Sequence, residues 1–351
     1  MLDSVNALLQ QRMARARDAG ELLELRRLMH NEMERHSYLS IDMLNEQMNA
    51  MHDRLIGRAI VLAEKELARK GRGTPPVPYA YVLFGSGGRK EQTWSSDQDS
   101  GIIYEHHDYD MDATQAYFLA LGEEIVDTLS QTGYPPCEGN VLSSNALWCK
   151  SVQQWHSTIS LWCVDPTWEA IRYLLIVADG RSVYGEERLW SQLKERYLNA
   201  VLSYAKVPTR MLENTMRHKV LTGIFGQLLT DRYGEDAGSL DMKYGAYIPM
   251  VNAVRLLAIR AGIVETSTLG RILQLIECGE LSESEGKGYL DAFRFFMRMR
   301  LMAKTQFADG YYSSSGKLPR SILDKEQVSE LRSFLKQGRR LQRFVNRLKD
   351  R

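Results

Sequence analysis

Charge of one sign is what this chain of 351 residues lacks first: 45 Lys and Arg stand against 44 Asp and Glu, a formal balance of +1. Such a balance gives no bulk attraction to nucleic acid or to an anionic membrane, so neither is expected as a partner. Cysteine is scarce too. The four (Cys137, Cys149, Cys163, Cys278) form no CxxC pair and show no metal-ligand spacing, which excludes a disulfide framework and leaves free thiols as the expectation. No apolar run approaches the ~20 residues that a bilayer-spanning helix needs. The opening residues, MLDSVNALLQQRM, carry no apolar core of the secretory type, and a cytoplasmic protein is expected. The seven histidines show no HExxH spacing, and no Gly-x-Ser-x-Gly or Cys/His arrangement points to nucleophilic hydrolysis.

What is present divides the chain into three. Residues 1–70 contain no proline and only Gly20 and Gly57, with Leu22, Leu25, Met29, Leu55, Ala59, Leu62 and Ala63 at helical steps, so residues 1–72 read as an N-terminal helical segment. The stretch GRGTPPVP (residues 71–78) breaks that pattern. Residues 73–200 mix short apolar runs with helical patterns, the grammar of a small sheet with helices. RYLLIVAD (residues 172–179) suits a buried central strand, residues 139–143 a weaker one, and Trp148 to Trp162 a helix. Residues 201–351 are again helical, near 204–231, 245–262, 268–279, 285–306 and 324–349, which suggests a bundle. The expected fold class is α+β.

One stretch carries chemistry: YAYVLFGSGGRKEQTWSSDQDSGIIYE (residues 79–105). An apolar run stops at Gly85-Ser86-Gly87-Gly88; with ten residues between, Ser86 is followed by Asp97 and then Asp99, ahead of a second apolar pair. In a strand, residues i and i+2 face the same side, so the two carboxylates aim at one spot. Like charges that close need a proton or a divalent cation between them. The glycine turn exposes backbone N–H groups suited to phosphate oxygens. It is neither a Walker A loop, lacking the closing Gly-Lys-Ser/Thr, nor a GxGxxG, since Lys90 stands where the last glycine belongs. The bland readings are a glycine hairpin and a polar SSDQD turn; the spacing between them favours metal-assisted nucleotidyl transfer.

A strand ending in Gly-Ser, about ten residues and then Asp-x-Asp resembles the signature of the DNA polymerase β-like nucleotidyltransferases. The wording GSGGRKEQ and SDQD is closer still to one branch and resembles the DUF294 nucleotidyltransferases, relatives of the bacterial PII-protein uridylyltransferase. GYPPCEGNVLSSNALWCKSVQQW (residues 133–155), VADGRSVYG (177–185) and DMKYGAYIPMVNAVRLLAIRAGI (241–263) are similar to further elements of that family. No cyclic-nucleotide-binding or CBS module is recognisable.

The resemblance implies a nucleoside triphosphate substrate and Mg²⁺, with Mn²⁺ as the alternative, held by Asp97 and Asp99. It implies a third catalytic carboxylate, for which Asp179 is the candidate, since the region around Val141 offers only Ser143, Ser144 and Asn145. Nucleotide contacts fall to Gly85, Ser86, Gly87, Arg89, Glu91 and Arg181, and to Lys243 at the start of the C-terminal block. The acceptor hydroxyl would lie on a protein. The alternative class is a nucleotide-binding regulatory or scaffold protein with weak or no transfer activity.

Overall fold

The computed structural model describes residues 2–36, 38–106, 110–215, 221–223, 227–303 and 305–348. Three helices open the chain: α1 (Leu2–Arg15), α2 (Ala19–Arg35) and α3 (Ile41–Arg69). Asp18 caps α2 by accepting from the Glu21 N–H, and Ser40 caps α3 by accepting from that of Met43. Along α3 the buried Leu44, Met48, Met51, Leu55, Ala59, Ala63 and Leu67 recur at steps of three and four, the stripe an amphipathic helix lays on its neighbours.

After residues 71–78 come β1 (Tyr79–Leu83), the single turn α4 (Gly85–Gly88), β2 (Ser100–Tyr104), α5 (Met111–Gln131), β3 (Cys149–Ser151), α6 (Val152–Val164), α7 (Trp168–Ala178), β4 (Arg181–Gly185) and α8 (Glu187–Ser203). The sheet runs β3-β2-β1-β4, with β1 antiparallel to β2 and β4 and β2 parallel to β3. Every residue of β1 and β2 is buried, as expected of strands covered on both faces. Behind them Phe84, Trp148, Trp155 and Trp190 interlock, their rings 5.2–6.2 Å apart. Trp155 donates to the Ile102 carbonyl and Trp190 to that of Gly180, which satisfies both indoles inside the core.

Three expectations of local structure are corrected. RYLLIVAD is not a strand: residues 172–178 belong to α7, with Ala170, Ile171, Leu174, Leu175, Val177 and Ala178 buried at helical spacing. A continuous apolar run looks the same in a buried strand and a buried helix, and here its length and leucine content favour the helix. Residues 139–143 form no strand, because Asn140 takes a left-handed conformation at φ 56° that turns the chain. The helix expected at 204–231 is α9 (Lys206–Thr215), and residues 227–238 form no helix, with Gly234 and Gly238 at positive φ. Residues 216–220 and 224–226 of that stretch lie outside the described residues.

The second half continues with β5 (Ser239–Asp241), a π-helical turn (Lys243–Tyr247), α10 (Ile248–Arg260), α11 (Thr268–Glu277), α12 (Glu283–Leu301), β6 (Gln306–Ala308), β7 (Tyr311–Ser313), β8 (Lys317–Pro319) and α13 (Lys325–Arg347). Helix α10 is the centre of this part, packed against α9, α11 and α13. The fold is α+β, a small mixed sheet with helices at both ends of the chain. Where the sequence reading draws boundaries at 72 and 200, contacts group the chain into two compact units. One comprises residues 1–158, 179–196 and 307–313, and the other residues 159–178, 197–306 and 314–351. No described helix is long and apolar enough to cross a membrane.

Candidate active site

Two of the glycines after β1 are required by what lies against them. The Phe84 N–H donates to the Asp99 carbonyl at 2.9 Å, which joins the exit of β1 to the entry of β2. Gly85 then takes φ 51°, open to glycine at no steric cost, and a Cβ there would collide with the Asp99 carboxylate. At Gly88 a Cβ would run into the carbonyl oxygens of Asp179 and Leu83. The N–H of Gly88 is the first in the turn to find an intrahelical acceptor, Phe84 O at 2.8 Å. Those of Ser86 and Gly87, earlier in the turn, reach no such carbonyl and suit an anion. Gly85→Ala is expected to cost about 1–3 kcal/mol from backbone strain. It should also displace the Asp99 side chain, so Mn²⁺ affinity measured by calorimetry falls while far-ultraviolet circular dichroism is unchanged.

Asp97 and Asp99 lie just ahead of β2 rather than in it, yet they keep the alternation of extended chain. Gln98 points inward and is the anchor. Its N–H donates to Pro135 O at 3.0 Å, and its side-chain amide donates to Tyr134 O at 2.8 Å and to Val126 O and Ser130 Oγ at 3.2 Å. With Gln98 pinned, Asp97 is exposed and Asp99 half-buried. Among the described residues, a carboxylate oxygen of each and the sulfur of Cys137 lie within 4.8 Å of one another. Burial, then the charge of Asp99 and a hydrogen bond to it, push the Cys137 thiol up to about 12. Nothing in spacing predicts Cys137. Only the pairing of Gln98 with Pro136 brings it beside the acids.

Asp179 is not in that group. It is buried at the end of α7, where its Oδ2 accepts from Arg89 Nη1 at 2.6 Å. Arg89 also donates from Nε to Glu91 at 2.8 Å, and the three side chains are 2–5% exposed. The guanidinium is thus held between two carboxylates. Arg181 supports the turn from below, donating to Gly87 O at 3.0 Å and, with both terminal nitrogens, to the Asp53 carboxylate of α3 at 2.6 and 3.0 Å. Lys243 lies in the other unit, on the π-helical turn, beside the Tyr244 ring. There Asp241 accepts from the Tyr244 N–H.

The N-terminal helices hold the loop that links the glycine turn to the acids, a role sequence reasoning missed. From α3, Asn45 donates to Lys90 O, Asn49 accepts from the Gln92 N–H, and His52 lies against Thr93 O at 3.2 Å; from α2, the buried Arg26 donates to Trp94 O at 3.0 Å. The signal was a polar stripe, Asn45, Asn49, His52 and Asp53, at helical spacing on a helix otherwise apolar inward.

His52 is also bonded to the Tyr134 hydroxyl at 2.7 Å, and His30 packs between Trp94 and Tyr312. Arg26 lies over the Tyr134 ring at 3.7 Å and faces both histidines. Burial, and next the Arg26 charge, hold both imidazoles well below the usual histidine value. The unfolded chain therefore takes up protons that the folded one refuses. Stability is full above about pH 6.5 and is lost as pH falls below it, by up to about 1.4 kcal/mol per pH unit for each histidine. Urea midpoints between about pH 7.5 and 5.5 read this, and His30→Phe is expected to flatten the slope. His107, beside His106 in the sequence, lies outside the described residues.

Residues 24–169 match the family model described as "Putative nucleotidyltransferase DUF294". Residues 206–348 match the one described as "Putative nucleotidyltransferase substrate binding domain". No curated protein matches the chain.

Proposed function

The chain belongs to the DUF294 nucleotidyltransferase family, and on that premise we propose an Mg²⁺-dependent transfer of a nucleoside monophosphate to a hydroxyl on a protein, in the manner of PII-protein uridylyltransferases. Transfer from a nucleoside triphosphate is the family's chemistry; the metal, the acceptor and the kinship in specificity are the proposal. The observation that carries it is the gathering of two carboxylates, Asp97 and Asp99, with Asp99 against the glycine turn at Gly85.

The residues suit a hard divalent ion. Carboxylate oxygens are the donors Mg²⁺ and Mn²⁺ prefer, and Gly85 leaves the Asp99 carboxylate the room a side chain would fill. When bound, such an ion neutralises charge on the triphosphate and the leaving pyrophosphate. In this proposal Asp97 and Asp99 hold that ion, and the N–H groups of Ser86 and Gly87 hold phosphate oxygens. The acceptor hydroxyl gives up its proton to solvent as its oxygen bonds to the α-phosphorus and the bond to the bridging oxygen breaks, and pyrophosphate leaves. Arg89, Glu91, Asp179 and Arg181 act as positioning residues that keep the turn in place.

A second reading, a nucleotide-binding regulatory protein with little transfer activity, has one observation in its favour: the third group beside the two acids is a thiol and not a carboxylate. Incubating purified protein with each α-³²P-labelled nucleoside triphosphate and Mg²⁺, with and without source-cell lysate, separates the two. A labelled protein band that vanishes in Asp97→Ala supports protein transfer. A labelled small molecule moves the acceptor class, and Mg²⁺-dependent nucleotide binding without label supports the regulatory reading.

A further inference from the structure

The sulfur beside the two acids sits in a turn of its own. The Asn140 N–H donates to Cys137 O at 3.0 Å, closing residues 137–140, and the left-handed Asn140 returns the chain. The N–H groups of Gly139, in this turn, and of Val141, just after it, face the Cys137 sulfur. Two backbone donors aimed at one sulfur fix its direction, the outer-shell support that prepares a ligand for a metal. The turn is fastened at both ends to the segment carrying the acids. Pro135 O accepts from the Gln98 N–H, and Val141 O accepts from the Ser100 N–H at 3.0 Å. Among the described residues, none of the other cysteines belongs to such a cluster.

We propose that Cys137 is a third protein ligand of the cation site, so that Asp97, Asp99 and Cys137 together take borderline divalent ions, cobalt(II) and zinc(II), ahead of Mg²⁺. The proposal rests on the assignment of Asp97 and Asp99 as metal ligands. Mg²⁺ is hard and passes over sulfur, so with Mg²⁺ the thiol keeps its proton and its bond to Asp99 while the carboxylates alone bind. Cobalt(II) and zinc(II) accept thiolate readily and stand above manganese in the general order of divalent affinities. For them the thiol proton leaves to solvent and the sulfur binds. Two oxygens and one sulfur from the protein then leave a fourth position for water or a phosphate oxygen, the pattern of an open rather than a closed site.

The test uses the full-length, reduced, metal-free protein titrated with cobalt(II) alone. A thiolate-to-cobalt charge-transfer band in the near ultraviolet is expected to grow to saturation as one site fills. Zinc(II) should displace it, and Mg²⁺ at the same concentration should not. Cys137→Ser is expected to abolish the band and weaken cobalt(II) binding at least about tenfold. Cys278→Ser, which changes an exposed thiol, leaves the band in place. Circular dichroism without metal checks the fold of Cys137→Ser. Should that variant not fold, Asp99→Asn with Cys137 intact must also lose the band. A wild-type protein without the band, or a band that survives Cys137→Ser, overturns the proposal. Transfer with Mg²⁺ in a wild type lacking the band would sink this inference and spare the proposed function. The band without transfer would do the reverse.

Discussion

Replacing Asp99 with alanine is expected to lower nucleotidyl transfer about a thousandfold, equivalent to about 4 kcal/mol of transition-state stabilisation, and to leave the fold standing. The two effects separate because the residue does two jobs with different atoms. Its carbonyl, which any residue supplies, accepts the Phe84 N–H and joins β1 to β2. Its carboxylate lies against Gly85 and Cys137. Asp97→Ala should behave alike, its side chain being exposed. Without metal, both changes relieve repulsion between like charges, so the metal-free melting temperature of either variant should equal or exceed that of the wild type. Labelled-product formation and a metal-free thermal melt on the same preparation read both quantities. Transfer within tenfold of wild type in Asp99→Ala would remove that carboxylate from the reaction.

Arg89→Ala is expected to cost about 3–5 kcal/mol of stability, because it leaves the carboxylates of Glu91 and Asp179 buried without their common partner. Against a total of roughly 5–15 kcal/mol for a folded protein, that change is large. Arg89→Lys should recover little: a single ammonium cannot reproduce a fork that donates to Glu91 from Nε and to Asp179 from Nη1. Asp179→Asn keeps an acceptor for Nη1 and leaves Arg89 its ion pair with Glu91, so it should cost less than Arg89→Ala. Urea denaturation of the three variants gives the order directly. If Arg89→Ala unfolds at the wild-type midpoint, the triad is not what holds the turn, and Arg89 returns as a contact to phosphate.

Much of the architecture is legible in sequence. The glycine turn, the two acids beyond it, the N-terminal helices and the helical C-terminal half follow from local pattern, which acts over a few residues. The misreadings have local causes as well. RYLLIVAD is uniform enough to suit either period, and at Asn140 a non-glycine residue adopts a left-handed conformation that composition does not announce. The site is another matter. Arg89 and Asp179 both stand in motifs suggestive of catalysis, and only the fold reveals that they are bonded to each other across 90 positions.

By itself, then, the sequence determined the pairing of Asp97 with Asp99, since side chains two apart in extended chain share a face wherever that chain lies. It also determined the family, written in the same short stretches. The tertiary structure alone decided what surrounds those acids: a sulfur from residue 137, an arginine spent on Glu91 and Asp179, and a loop held by Asn45, Asn49, His52 and Arg26 from helices that open the chain. The reason is physical. An amide, an imidazole or a thiol has the same chemistry wherever it stands, and which partner it meets is set by packing between segments far apart in the chain.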